Sequence, residues 1–156
     1  MTATEILLLN FDETRRRSIK VWNAIPPEYY FWKPDKEAMP FLEMVRHILE
    51  GQDIYHIIIK NGGELGNYVS PFAERAYTGI KDEIDFAEPF RKSFFETIKS
   101  FSTEDLTSKE IIRPEKGQRR KLGDYILRVA YHEAVHTGQL LSYLRTLGLE
   151  RPVIWD

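Results

Sequence analysis

The chain has 156 residues, enough for one ordinary domain that buries roughly two-thirds of its unfolded surface without staples. Its 22 basic and 24 acidic residues leave a net charge of −2, so no basic excess draws it to nucleic acid. The absence of cysteine removes disulfides, thiolate metal sites and cysteine nucleophiles together, and fits a reducing, cytoplasmic setting.

The chain opens Met-Thr-Ala-Thr-Glu, with no basic stretch leading an apolar run. No window approaches ~18 uninterrupted apolar residues, so no membrane partner is expected. A first helix is predicted from about Thr4 to Ala24, with Thr2 and Glu5 as a capping box. Leu7, Leu8, Phe11, Ser18, Val21, Trp22 and Ile25 fall near one face, and Arg15, Arg16 and Lys20 take the other. Pro26-Pro27 ends it, because proline cannot continue the hydrogen-bond ladder. The loop from Pro27 to Met39 carries Tyr29, Tyr30, Phe31 and Trp32, which implies that it lies on the core and caps one end of the domain.

A second helix follows from about Pro40 to Lys60, stopped by Asn61-Gly62-Gly63. Glu64 to Ile84 holds Gly66, Pro71 and Gly79 and reads as a long surface connection. A third helix is predicted from Asp85 or Phe86 to Phe101, with Asp85 and Glu88 as its cap and Pro89 close to the first turn. Phe90, Phe94, Ile98 and Phe101 form its stripe. Between Glu110 and Leu122 the pattern changes around Pro114-Glu115-Lys116-Gly117, which fits a small hairpin or an irregular excursion. The neighbouring cluster Arg119, Arg120 and Lys121 reads as a solvated loop, with contact to an anionic substrate as the alternative. The last helix runs from about Leu122 to Leu147, closed by Gly148. An all-α fold, an antiparallel four-helix bundle spanning 1–156 as a single domain, is the simplest packing.

The four histidines are His47, His56, His132 and His136. In His132-Glu133-Ala134-Val135-His136 the two imidazoles stand one helical turn apart and can share a metal ion. Leu122, Ile126, Val129, Leu140, Leu144 and Leu147 define the buried stripe of that helix, and both histidines lie on it or at its edge. A shared metal, or bonds to neighbouring side chains, would satisfy their nitrogens. For a third ligand the second helix offers His47 or His56, which point ~180° apart; periodicity does not choose between them. Glu133 also falls on the apolar face. It reads as a partner of a ligating histidine, a ligand, a general base, or a carboxylate reaching an arginine such as Arg128.

His-Glu-Ala-Val-His matches the H-E-x-x-H pattern of zinc peptidases. Gln139 and Ser142 stand where the extended peptidase motif needs glycine and histidine, and no strand-rich segment precedes the helix. The better match covers nearly the whole chain. Trp32-Lys33-Pro34 with Phe41 to Ile48, His132 to Leu140, and Leu144-Arg145-Thr146-Leu147-Gly148 with Pro152 together resemble the DinB/YfiT-like superfamily of metal-binding four-helix bundles. The resemblance implies that His47, rather than His56, joins His132 and His136 on one divalent metal ion: nickel or zinc, with manganese as a further candidate. It also implies small-molecule substrates and a homodimer. Among such proteins are transferases of low-molecular-weight thiols to small electrophiles, a thiol-dependent isomerase, and proteins labelled metal-dependent hydrolases. Thiol transfer is the expected activity; the alternatives are metal-dependent hydrolysis and a non-catalytic metal-binding stress-response module. Without cysteine, any sulfur nucleophile must come from a cosubstrate. Glu133 or Gln139 would orient a ligand or bound water. Tyr30 and Trp32 would wall the substrate pocket, or pack against the core.

Overall fold

The computed structural model describes residues 1–156. Four long helices form the body: α1 (Ala3–Asn23), α2 (Phe41–Lys60), α3 (Ile80–Lys99) and α5 (Leu122–Thr146). Between the last two lie a six-residue helix, α4 (Thr103–Ser108), and an antiparallel hairpin, β1 (Glu110–Arg113) with β2 (Gln118–Lys121). The Thr2–Glu5 capping box closes the start of α1. Ser102 and Asp105 form a second box that starts α4, a helix not anticipated from the sequence.

The core has two apolar clusters, one at each end of the bundle. One gathers Val21, Trp22 and Ile25 with Phe41, Leu42, Val45 and Ile48, and adds Ile80, Ala87, Leu140 and Leu144. The other gathers Leu7 and Phe11 with Ile58, Ile59, Phe94, Ile98 and the start of α5 from Leu122 to Ala130. The end of α1 therefore meets the starts of α2 and α3 and the end of α5. Two helices run each way, and α2 and α3 lie side by side in the same direction. This explains the long connection after α2: the chain must return the length of the bundle before α3 begins. That connection is not wholly superficial, because Phe72 sits fully buried in the first cluster. Buried Arg46 reaches the carbonyls of Phe72, Arg75 and Ala76 and anchors the segment.

Helix α3 starts at Ile80, five residues before the predicted Asp85, and Pro89 lies in its interior. Interior proline costs ~3 kcal/mol in a helix, through its missing N–H and its clash with the preceding turn. Burial overrides that cost. Ile80 and Ala87 enter the core, and Glu83, with no exposed surface, accepts two bonds from Arg46 at 2.6 and 3.0 Å.

The hairpin docks on the end of α2. Ile112 N–H donates to the Gly62 carbonyl at 3.0 Å. Gly63 has φ +136°, and a Cβ there would stand 1.9 Å from the Ile112 carbonyl oxygen, so only glycine permits this approach.

Candidate metal centre

Helices α2 and α5 pack with opposite directions and bring His47, His132 and His136 together. One nitrogen from each ring lies within 4.8 Å of the other two. The ring centroids form a near-regular triangle with sides of 5.0, 4.8 and 4.6 Å. All three side chains are half-buried, with one side of the cluster open to a groove. His56 lies elsewhere: it is buried beside Phe94, its Nε2 2.7 Å from Thr97 Oγ1.

The donor set fits a divalent ion. His47 Nε2 and His132 Nε2 face each other at 3.1 Å. Two nitrogens that share an ion through bonds of ~2.1 Å at roughly tetrahedral or octahedral angles stand about 3 to 3.4 Å apart. Gln139 fixes the third ring. Its Oε1 accepts from His136 Nδ1–H at 2.7 Å, which leaves the Nε2 lone pair of His136 free. Burial, reinforced by neighbouring His136 and His47, pushes the His132 imidazole down to about 4. Burial and then His136 also lower His47, against the opposing pull of Glu50 and Glu43. Both rings are thereby held in the neutral form that binds metal.

Gly51 makes room for this geometry. It lies one turn after His47, and a Cβ there would stand 2.8 Å from His132 Cε1. One turn further, the Tyr55 ring lies 5.7 Å from that of His132, edge to face. Sequence reasoning passed over both residues. The available signal was their i+4 and i+8 spacing from His47.

Glu133 is buried, but it faces α1 and not the histidine cluster. Its two oxygens accept from Arg15 Nε at 2.8 Å and Arg15 Nη2 at 2.9 Å. The anticipated arginine partner was Arg128; the observed one is Arg15, which had been assigned to the exposed face of α1 and is only 6% exposed. Gln52 from α2 approaches the same guanidinium at 3.4 Å, and Ser18 bonds Thr137 at 2.9 Å beside it. With both oxygens engaged this way, Glu133 does not present a base to the histidine site. Trp32 packs on Phe41 and Tyr143, and Tyr30 packs on the first apolar cluster near Gly79. The groove beside the histidines is lined instead by Tyr55, Tyr131, Arg128, Asp124, Arg120 and Gln118.

Residues 10–140 match the model of the DinB superfamily. The chain belongs to that superfamily. This DinB-superfamily chain is 25% identical over 149 residues to YjoA of Bacillus subtilis, covering 95% of itself and 93% of that protein. It superposes on the crystal structure of the DinB-like YjoA with a TM-score of 0.70, at 23% identity over 95% of this chain and 96% of that one. A DinB-like protein from Bacillus cereus gives 0.68, at 19% identity and 97% coverage of both chains. At these identities the two structures speak for the DinB fold alone. No helix is long and apolar enough to cross a membrane.

Proposed function

We propose that this DinB-superfamily protein is a metal-dependent enzyme that transfers a low-molecular-weight thiol to a small electrophile. The observation that carries the reading is the convergence of His47, His132 and His136 on one point beside a groove, with no acid or cysteine completing the cluster. Such a set leaves coordination positions for a substrate, whereas structural sites are closed by a fourth protein ligand. A divalent ion there, nickel or zinc first and manganese next, would supply a Lewis acid that lowers the pKa of a sulfhydryl or water.

The residues themselves orient and shield. Gln139 holds His136 in the tautomer that presents Nε2. Gly51 lets His132 sit against α2, and Tyr55 covers one flank. Glu133 serves as a positioning residue through Arg15. Its commitment there favours thiol transfer over hydrolysis, because the carboxylate that would relay a water's proton faces the other way. A thiol, more acidic than water, needs no such relay. Trp32 and Tyr30 support the loop that caps the bundle. We further assign the protein a cytoplasmic setting and a homodimeric state.

The test is elemental analysis of the wild type beside His47→Ala, His132→Ala and His56→Ala, followed by thiol consumption with small electrophiles. About one equivalent of metal is expected in the wild type and in His56→Ala, and none in the other two. Equal metal loss on changing His56 overturns the site. Full metal without thiol turnover overturns the reaction.

A further inference from the structure

The basic run Arg119-Arg120-Lys121 is divided by the strand that carries it. Side chains of β2 alternate between faces. On one face Arg119 and Lys121 both bond Glu110, at 2.8 and 3.2 Å. On the other face Gln118 and Arg120 line the groove beside His132 and His136. Arg128 enters the same groove from α5, one turn before His132, which places their Cβ atoms about 6 Å apart. Its guanidinium lies 5.2 Å from the Tyr125 ring and 6.0 Å from the Tyr55 ring. Its side-chain hydrogen bond, at 3.3 Å, goes to the neutral amide of Gln118. Arg128 is thus half-buried and orientated by rings and an amide, and no carboxylate neutralises it. The one acid in the lining, Asp124, meets Arg120 at a long 3.5 Å, with both side chains more than half exposed. The cavity, of about 570 Å3, therefore has two guanidinium groups, one carboxylate and two of the three clustered imidazoles, His132 and His136, along its wall.

We infer that this cavity binds the carboxylate of a small, short-chain anionic substrate between Arg128 and Arg120, with its reactive end at the three histidines. The reactive end rests on the metal-site reading; the anionic end rests on the arginines alone. A guanidinium fork matches a planar carboxylate in two parallel bonds, which an ammonium does not. The separation of one helical turn limits the substrate to a compact molecule. Asp124 competes for Arg120, so its charge opposes binding.

The probes are 3-mercaptopropionate and its uncharged amide, 3-mercaptopropionamide. Each is titrated into metal-free protein and into protein carrying one equivalent of zinc, with binding read by ligand-observed NMR and calorimetry. The acid is expected to bind roughly tenfold more tightly than the amide in both forms, as a charge-assisted bond to a partly solvated arginine allows. Arg128→Gln removes most of that preference without altering amide affinity, Arg120→Gln reduces it, and Asp124→Asn increases it. Equal binding of acid and amide by the wild type overturns the inference. A preference seen only with zinc and untouched by Arg128→Gln also overturns it, because the carboxylate is then on the ion. Failure to take up zinc, or equal affinity for the thiol acid and 3-hydroxypropionate with zinc present, counts against the metal-thiol reading. In either case the acid-to-amide ratio of metal-free protein still judges the arginines.

Discussion

Replacing Gly51 by alanine separates stability from metal binding. Glycine inside a helix is about 1 kcal/mol less favourable than alanine, so the substitution on its own strengthens α2. The new Cβ, however, would stand 2.8 Å from His132 Cε1 and 3.2 Å from Nδ1. Ordinary contact begins near 3.4 Å, so the ring must retreat by about 0.6 Å. The imidazole can do this by small side-chain rotations, because it borders an open groove. Ligand distances in metal sites are held within about 0.2 Å, so the displaced ring no longer meets the other two nitrogens at one point. The expected result is a zinc affinity lowered about ten- to a hundredfold, the range seen when the support of a ligand is disturbed. Urea unfolding in the presence of chelator should show stability unchanged or raised by up to about 1 kcal/mol. Zinc competition with a chromophoric chelator measures the first quantity. An unchanged zinc affinity, or metal-free protein weakened by more than about 2 kcal/mol, refutes the account of Gly51 as the space His132 requires.

Gly63→Ala should destabilise the fold by more than about 2 kcal/mol in chemical denaturation, because its Cβ meets backbone that cannot rotate away, at a left-handed φ; wild-type stability would refute the hairpin docking. His56 is buried and donates Nε2–H to Thr97 Oγ1, whose own proton goes to the Ser93 carbonyl. Burial first, then Lys60, lowers its pKa in the folded state below 6.5, so the unfolded chain binds the extra proton more readily. Its contribution is therefore fully present above pH 6.5 and lost as the pH falls through the lower folded value. The Tm advantage of wild type over His56→Leu, measured in chelator, should shrink on going from pH 7.5 to pH 5, and an advantage that grows on acidification would contradict this.

Local signals were legible wherever chemistry and spacing coincide within one element. The capping box of α1, the Asn61-Gly62-Gly63 stop, the Pro-Glu-Lys-Gly turn and the paired histidines of α5 all belong to this kind. His47 followed from a motif and not from periodicity, since His56 fitted the same helix equally well. What the sequence concealed depends on partners far along the chain. Arg15 meets Glu133 across 118 residues, so its burial has no local trace, and its place beside Arg16 and Lys20 on the polar face made it look exposed. The start of α3 was obscured by Pro89, which locally reads as a first-turn proline and so placed the helix start too late. The forces that override it, the Arg46–Glu83 pair and the burial of Ile80, come from α2 and the core. Arg120 was hidden inside a basic run, and only the alternation of a strand separated it from its neighbours.

The polar residues buried at mid-bundle form a layer between the two apolar clusters, and that layer aims the metal site. Arg15 and Ser18 come from α1, Gln52 from α2, and Glu133 and Thr137 from α5. Each falls in the sequence gap between the segments that fill the two clusters. On α5, Glu133 and Thr137 each follow a histidine by one residue, which is ~100° around the helix. Tying them to α1 therefore fixes the rotation of α5 that turns His132 and His136 toward α2. Apolar packing alone specifies rotation less sharply, and a buried ion pair is often no more stabilising than hydrophobic residues of similar volume. The double replacement Arg15→Leu with Glu133→Leu should thus leave the metal-free protein within about 2 kcal/mol of wild type, whereas Glu133→Leu alone strands a buried arginine and costs about 3–5 kcal/mol. If the pair acts by aiming α5, the double variant should still bind zinc more weakly, and the loss should exceed what its change in stability accounts for. Wild-type zinc affinity in a fully folded double variant would show that the apolar clusters aim the histidines unaided.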